Sequence, residues 1–97
     1  MGGNVIAKLG LTVSNLSSGE RGQLGIDNGV KVEKVEGPGA RAGLRRGDVV
    51  LALNNNDVES VEQFKELMND YQNARSVALL VRRGQGAIYV PIRLDND

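Results

Sequence analysis

Gly39-Ala40-Arg41-Ala42-Gly43-Leu44-Arg45-Arg46-Gly47-Asp48-Val49-Val50-Leu51 carries three backbone instructions in a row. Ala40 to Leu44, rich in small residues, predicts a short helix, and Gly43 sits too close for that helix to run on. Arg46-Gly47 then predicts a turn. From Asp48 to Leu53 the near-continuous apolar run predicts a strand covered on both faces, hence a central one.

Upstream, Val30, Val32 and Val35 among charged neighbours predict a half-exposed strand, ended by Gly37-Pro38-Gly39. Ser14 to Asn28 is rich in Ser, Gly and charge; it predicts a loop with one helical turn at the cap-like Ser17-Ser18-Gly19-Glu20. The run from Val5 to Val13 predicts one first strand, with Leu9, Leu11 and Val13 on one side.

Downstream, Asn54, Asn55 and Asn56 predict a tight turn, because Asn tolerates the left-handed region. Val61, Phe64, Leu67, Met68 and Tyr71 recur at three and four, so Ser60 to Tyr71 reads as the one long helix, with Ser60 and Gln63 forming a capping box. Ser76 to Arg82 and Ala87 to Leu94 predict a hairpin joined by Arg83-Gly84-Gln85-Gly86, with Pro91 marking an edge strand or a bulge.

The 97 residues fit one hydrophobic core and leave no room for a separate catalytic domain. Twelve basic and twelve acidic residues cancel, so the broad charge footprint that nucleic acid or an anionic membrane would require is missing. The Arg41, Arg45, Arg46 and Arg82, Arg83 clusters read as solvated loop and hairpin charges. No apolar run approaches the roughly 18 residues of a membrane span. With no His and no Cys, a Ser-His-Asp triad, a Cys-His pair and an ordinary zinc site are all excluded within this chain. No catalytic residue, metal or cofactor is assigned. Gly37-Pro38-Gly39-Ala40-Arg41-Ala42 formally matches a dinucleotide fingerprint, but Gly43 stops its helix well short of a crossover helix. Met1-Gly2-Gly3 reads as an expression remnant and residues 1–4 as a tail, with one domain over residues 5–94 and a polar tail at 95–97.

Taken together, Leu9-Gly10-Leu11-Thr12-Val13, the Gly39 to Leu51 block and the Ser60 to Tyr71 helix resemble a PDZ domain over nearly all of residues 5–94. The order of elements is similar to the permuted bacterial type, and within it to the last PDZ domain of HtrA/Deg serine proteases. The resemblance implies an α+β fold, a small, strongly bent antiparallel sandwich or barrel of about five to six strands capped by one long and one short helix. It implies a periplasmic setting, a non-catalytic role and, as partners, the parent protease domain, neighbouring subunits and peptide C-termini with an apolar last residue.

The same resemblance implies a site. A peptide C-terminus would add as a strand beside Leu11, Thr12 and Val13, in the groove against the long helix. Its carboxylate would sit on amides around Leu9, Gly10 and Leu11, with Lys8 adding positive charge. Leu11, Val13 and Met68 would line the last pocket with the stem of Lys65 at its rim, and Val61 would face an apolar residue two positions earlier. The competing reading makes Val61, Leu11, Val13 and Met68 plain core residues of a closed domain. The approach Asn4-Val5-Ile6-Ala7-Lys8 departs from the family by lacking a glycine-rich lead into the loop.

Overall fold

A computed structural model of the chain describes residues 4–94. Ten elements follow in order: β1 Asn4–Ile6, β2 Leu11–Asn15, α1 Ser18–Leu24, β3 Val30–Val35, α2 Gly37–Arg41, β4 Val49–Leu53, β5 Asn56–Asp57, α3 Val61–Asn69, β6 Ser76–Arg83 and β7 Gly86–Arg93. The expectations for Met1-Gly2-Gly3 and Asp95-Asn96-Asp97 lie outside the described residues.

All strand pairs are antiparallel, in one sheet ordered β1-β2-β3-β4-β6-β7 with β5 attached to β4. The α+β, PDZ-like arrangement matches expectation. Seven strands and three helices exceed the five to six and two expected, and the path from β1 to β7 stays open.

β4 is central, as its apolar run predicts, with Val50 and Leu53 fully buried. Asn54 and Asn55 both take positive φ, 48° and 72°, giving the two-residue turn that returns the chain as β5. The β6-β7 hairpin turns more tightly than expected, with Arg83 paired to Gly86 and only Gly84-Gln85 between them. Pro91 sits on β7, which pairs with β6 alone; it is an edge residue in unbroken register, and no bulge is needed to accommodate its missing N–H.

In the first half of the chain three element boundaries are corrected. The single first strand is two: Ile6 ends β1, Ala7 to Gly10 turn, and Leu11 starts β2. Gly10 permits this with φ +73°, and a Cβ there would lie 1.9 Å from the Glu36 carbonyl oxygen. Ser18–Leu24 is a seven-residue helix rather than one turn, secured by a full Ser17/Glu20 capping box and buried nowhere, so no apolar stripe announces it. α2 begins at Gly37, not Ala40, because Pro38 is well placed in a first helical turn where its missing N–H costs nothing.

Phe64, Leu9, Leu11, Leu53, Leu79 and Ile92 are the largest fully buried side chains. Ser60 caps α3 by accepting from Gln63 N–H at 3.1 Å, but Gln63 Oε1 takes the N–H of Glu59 instead of closing the box on Ser60. Among the hairpin arginines, Arg83 is no free solvated charge. It forks onto Asp48, the buried acidic residue after Gly47, and also donates to the Gly43 carbonyl. Asp48 further accepts from Arg45 N–H at 3.0 Å, the structural turn role its position suggests.

Candidate peptide-binding site

The turn Ala7 to Gly10 is held from below by α2. Gly39 N–H donates to Leu9 O at 2.7 Å, and Glu36 N–H donates to Gly10 O at 2.8 Å. A Cβ on Gly39 would stand 2.8 Å from both Leu9 O and Leu11 Cδ2, so α2 docks on this turn only because that residue is glycine. Within the turn the Leu9 and Gly10 amides both donate to the Ile6 carbonyl oxygen at 3.0 Å, and Gly10 N–H also reaches Ala7 O at 3.1 Å. Two backbone N–H groups thus converge on one acceptor oxygen.

β2 continues from the turn. Leu11 and Val13 point inward and are fully buried, while Thr12 is half-buried on the other face. A register shift between Thr12 and Val13 leaves Glu33 of β3 without a direct partner, and its carboxylate accepts from Ser14 Oγ at 2.7 Å. Across from β2 stands α3, where Val61, Lys65 and Met68 fall at spacings of four and three on one helical face. Val61 and Met68 belong to the core, and Lys65 lies above them at the surface.

Sequence reasoning missed what fixes the distance between these two walls. Asn15, the last residue of β2, accepts from Val61 N–H through Oδ1 at 2.9 Å, so one side chain both caps α3 and ties it to β2. Nothing in the local sequence signals this bond, which spans 46 residues. At the other end Lys8 Nζ donates to the Gln72 carbonyl just past α3. The ammonium therefore bridges turn and helix rather than facing the Leu9 and Gly10 amides.

Of the nine singled-out residues, Lys8, Lys65 and Met68 border one cleft, while Leu9, Leu11, Val13 and Val61 are buried in the core beneath it and Gly10 and Thr12 lie on the adjoining turn and strand. The free edge of β2 is already paired. β1 pairs antiparallel with β2, Asn4 opposite Val13, Val5 opposite Thr12 and Ile6 opposite Leu11. Lys65 Nζ lies 3.4 Å from Asn4 Oδ1. A cleft of about 190 Å³ remains between β1 and α3, lined by Val5, Ile6, Ala7 and Lys8 on one side and Lys65, Met68, Asn69 and Gln72 on the other.

The PDZ domain family model matches residues 29–83. A probable periplasmic serine endoprotease, DegP-like, of Halomonas elongata is 40% identical over 90 residues, which is 91% of this chain and 19% of that protein. A DegP-like protein of Pseudomonas putida is 38% identical over 88 residues, 90% of this chain and 18% of its own length. The chain thus spans about a fifth of the curated relatives it matches. Among solved structures, the HtrA-type protease AlgW with a decapeptide aligns at TM-score 0.67 and 26% identity, covering 88% of this chain and 27% of that one. The HtrA3 PDZ domain bound to a phage-derived ligand aligns at TM-score 0.72, covering 88% of this chain and 81% of that one; at 21% identity it speaks for the fold alone. The chain belongs to the PDZ domain family, in its HtrA/Deg type, and is an interaction module rather than a catalytic domain.

Proposed function

We propose that this PDZ domain captures peptide C-termini by strand addition along β2. The ligand lies between β2 and α3, its backbone pairs with Leu11, Thr12 and Val13, and its carboxylate takes the Leu9 and Gly10 amides. Leu11, Val13, Met68 and the stem of Lys65 surround an apolar last residue, and Val61 faces the residue two positions before it. The observation that carries this reading is the convergence of the Leu9 and Gly10 N–H groups on one oxygen, 3.0 Å away, at the closed end of a channel that accommodates an antiparallel strand.

At the level of the parent protein, we read the domain as part of a periplasmic HtrA-type serine endoprotease in protein quality control, holding C-termini or exposed apolar segments of damaged substrates for the attached protease. The DegP-like relatives, named as probable periplasmic serine endoproteases, support that setting. A single groove of this size suits about micromolar affinity, on the order of −8 kcal/mol. Fluorescence anisotropy with a labelled peptide ending in Val or Ile tests the reading. Saturable binding that disappears when the terminus is amidated is expected; equal binding of both forms contradicts it.

A second reading, an assembly domain that joins subunits of the parent and binds little peptide, is favoured by β1 lying on the very edge a ligand would use. Sedimentation of the parent with and without this region separates the two, since only an assembly domain changes the oligomer on deletion.

A further inference from the structure

We infer that Asn4-Val5-Ile6 is an internal ligand of the groove, so that an incoming C-terminus binds only after β1 has left β2. The inference rests on the peptide-binding reading above and adds its regulation.

Direction is the first support. β1 runs antiparallel to β2 and toward the Leu9-Gly10 turn, the course that a bound C-terminus takes in the proposed mode. Chemistry is the second. Ile6 stands opposite Leu11, its side chain is only 4% exposed, and its carbonyl oxygen takes both convergent amides. Ile6 thereby supplies the apolar side chain and the acceptor oxygen that a terminal aliphatic residue and its carboxylate would supply. Two positions earlier, Asn4 engages Lys65 through Oδ1.

The occupant is also lightly held. β1 has three residues, it is the outermost strand on its side of the sheet, and its middle residue Val5 is 56% exposed. Short edge strands are the low-stability end of a sheet, where local opening is cheapest. Release breaks the β1–β2 pairing, the two bonds to the Ile6 carbonyl and the Asn4–Lys65 contact and uncovers Ile6, while the core strands β3, β4, β6 and β7 keep their pairing. The ligand class follows: a peptide with a free carboxylate and an aliphatic last residue, whose charged terminus outcompetes a neutral carbonyl for the two amides.

A reversible lock tests this in the whole chain. Val5 and Thr12 are directly opposed, and cross-strand partners at about 4.5–5.5 Å between Cα atoms fall within disulfide range. The chain has no cysteine, so Val5→Cys with Thr12→Cys can form only that bridge within one molecule. The probe is the peptide Gly-Gly-Asn-Val-Ile with a free carboxylate. Oxidation is expected to lower its affinity by about tenfold or more, with reduction restoring it, because affinity scales with the fraction of open groove. In the unlocked chain, Ile6→Asp is expected to raise affinity by about tenfold or more, matching a competent state that is at most about a tenth populated. Equal affinity in the oxidised and reduced protein overturns the internal-ligand proposal and leaves peptide capture standing. No binding to the unsubstituted chain, and none to an Ile6→Asp variant whose amide spectrum shows it folded, removes peptide capture itself, and the proposal with it.

Discussion

Arg83 closes on Asp48 across 35 residues of chain, with Nη2 2.6 Å from Oδ2 and Nε 2.9 Å from Oδ1. The fork joins the β6-β7 hairpin to the turn that launches the central strand. With Arg45 N–H on the same carboxylate, it fixes where β4 enters the sheet. Asp48→Ala removes an acceptor that serves a charged donor and a backbone amide, and is expected to cost about 2–3 kcal/mol in urea unfolding. Arg83→Lys is expected to recover only part of what Arg83→Ala loses, because an ammonium cannot make the two-pronged contact.

Acid should expose the same pair. Burial alone would raise the Asp48 carboxyl, but the hydrogen bonds from Arg83 and Arg45 N–H, with the charges of both arginines, outweigh it and hold the group below its usual 3.8. Glu20, bonded by Lys31 and by Ser17 N–H, is lowered from 4.5 to about 2. A depressed carboxyl contributes stability that is complete above its unfolded pKa and is lost as pH falls through the folded one. The domain is therefore expected to lose stability as pH drops from about 4.5 toward 2, and Asp48→Asn should flatten that slope. Melting temperatures across that range check it. High salt should erase the Glu20 share first, since that pair is at the surface.

Gly10→Ala places a methyl 1.9 Å from Glu36 O in a backbone with φ +73°. A main-chain carbonyl held in a docked helix cannot step aside, so a loss above about 2 kcal/mol is expected. Gly39→Ala, which meets Leu9 O and Leu11 Cδ2 at 2.8 Å, is expected to cost about 1–3 kcal/mol. Both should move the amide signals of Leu9 and Gly10, a local readout that separates damage to the turn from general loss of stability.

Asn15→Ala breaks the one bond from the end of β2 to the start of α3. About 1 kcal/mol of stability should be lost, as for other helix caps. Peptide affinity should fall by more than a surface change such as Glu62→Ala, because the groove walls lose their tie. Matching affinities for those two variants would detach Asn15 from the site.

The readable parts of this fold are those where one element satisfies its own pattern. Val61, Phe64 and Met68 repeat at helical spacing because one face of α3 is buried, and Val49 to Leu53 is continuously apolar because β4 is covered on both sides. The break between β1 and β2 was hidden because Val5 to Val13 remains apolar through it. The only local mark is Gly10, whose role depends on Glu36 from elsewhere in the chain. α1 was hidden for the opposite reason: it has no fully buried residue, and its capping box, the Lys31–Glu20 pair and the Arg82 bond to the Leu24 carbonyl hold it. For the candidate site, family resemblance singled out residues of β2 and α3, and the structure sets those two elements next to each other. The Asn15–Val61 bond, the bridge from Lys8 to Gln72 and the pairing of Ile6 with Leu11 are tertiary facts with no sequence period.

Carboxylate capture on the Leu9 and Gly10 amides is the central claim, and an amide-shift titration tests it most directly. The labelled domain is titrated with a short peptide ending in a free aliphatic residue, then with its amidated twin. Saturable shifts at residues 8–13 and 61–68, lost on amidation, are the predicted result. Shifts elsewhere, or the same shifts with both peptides, would contradict it.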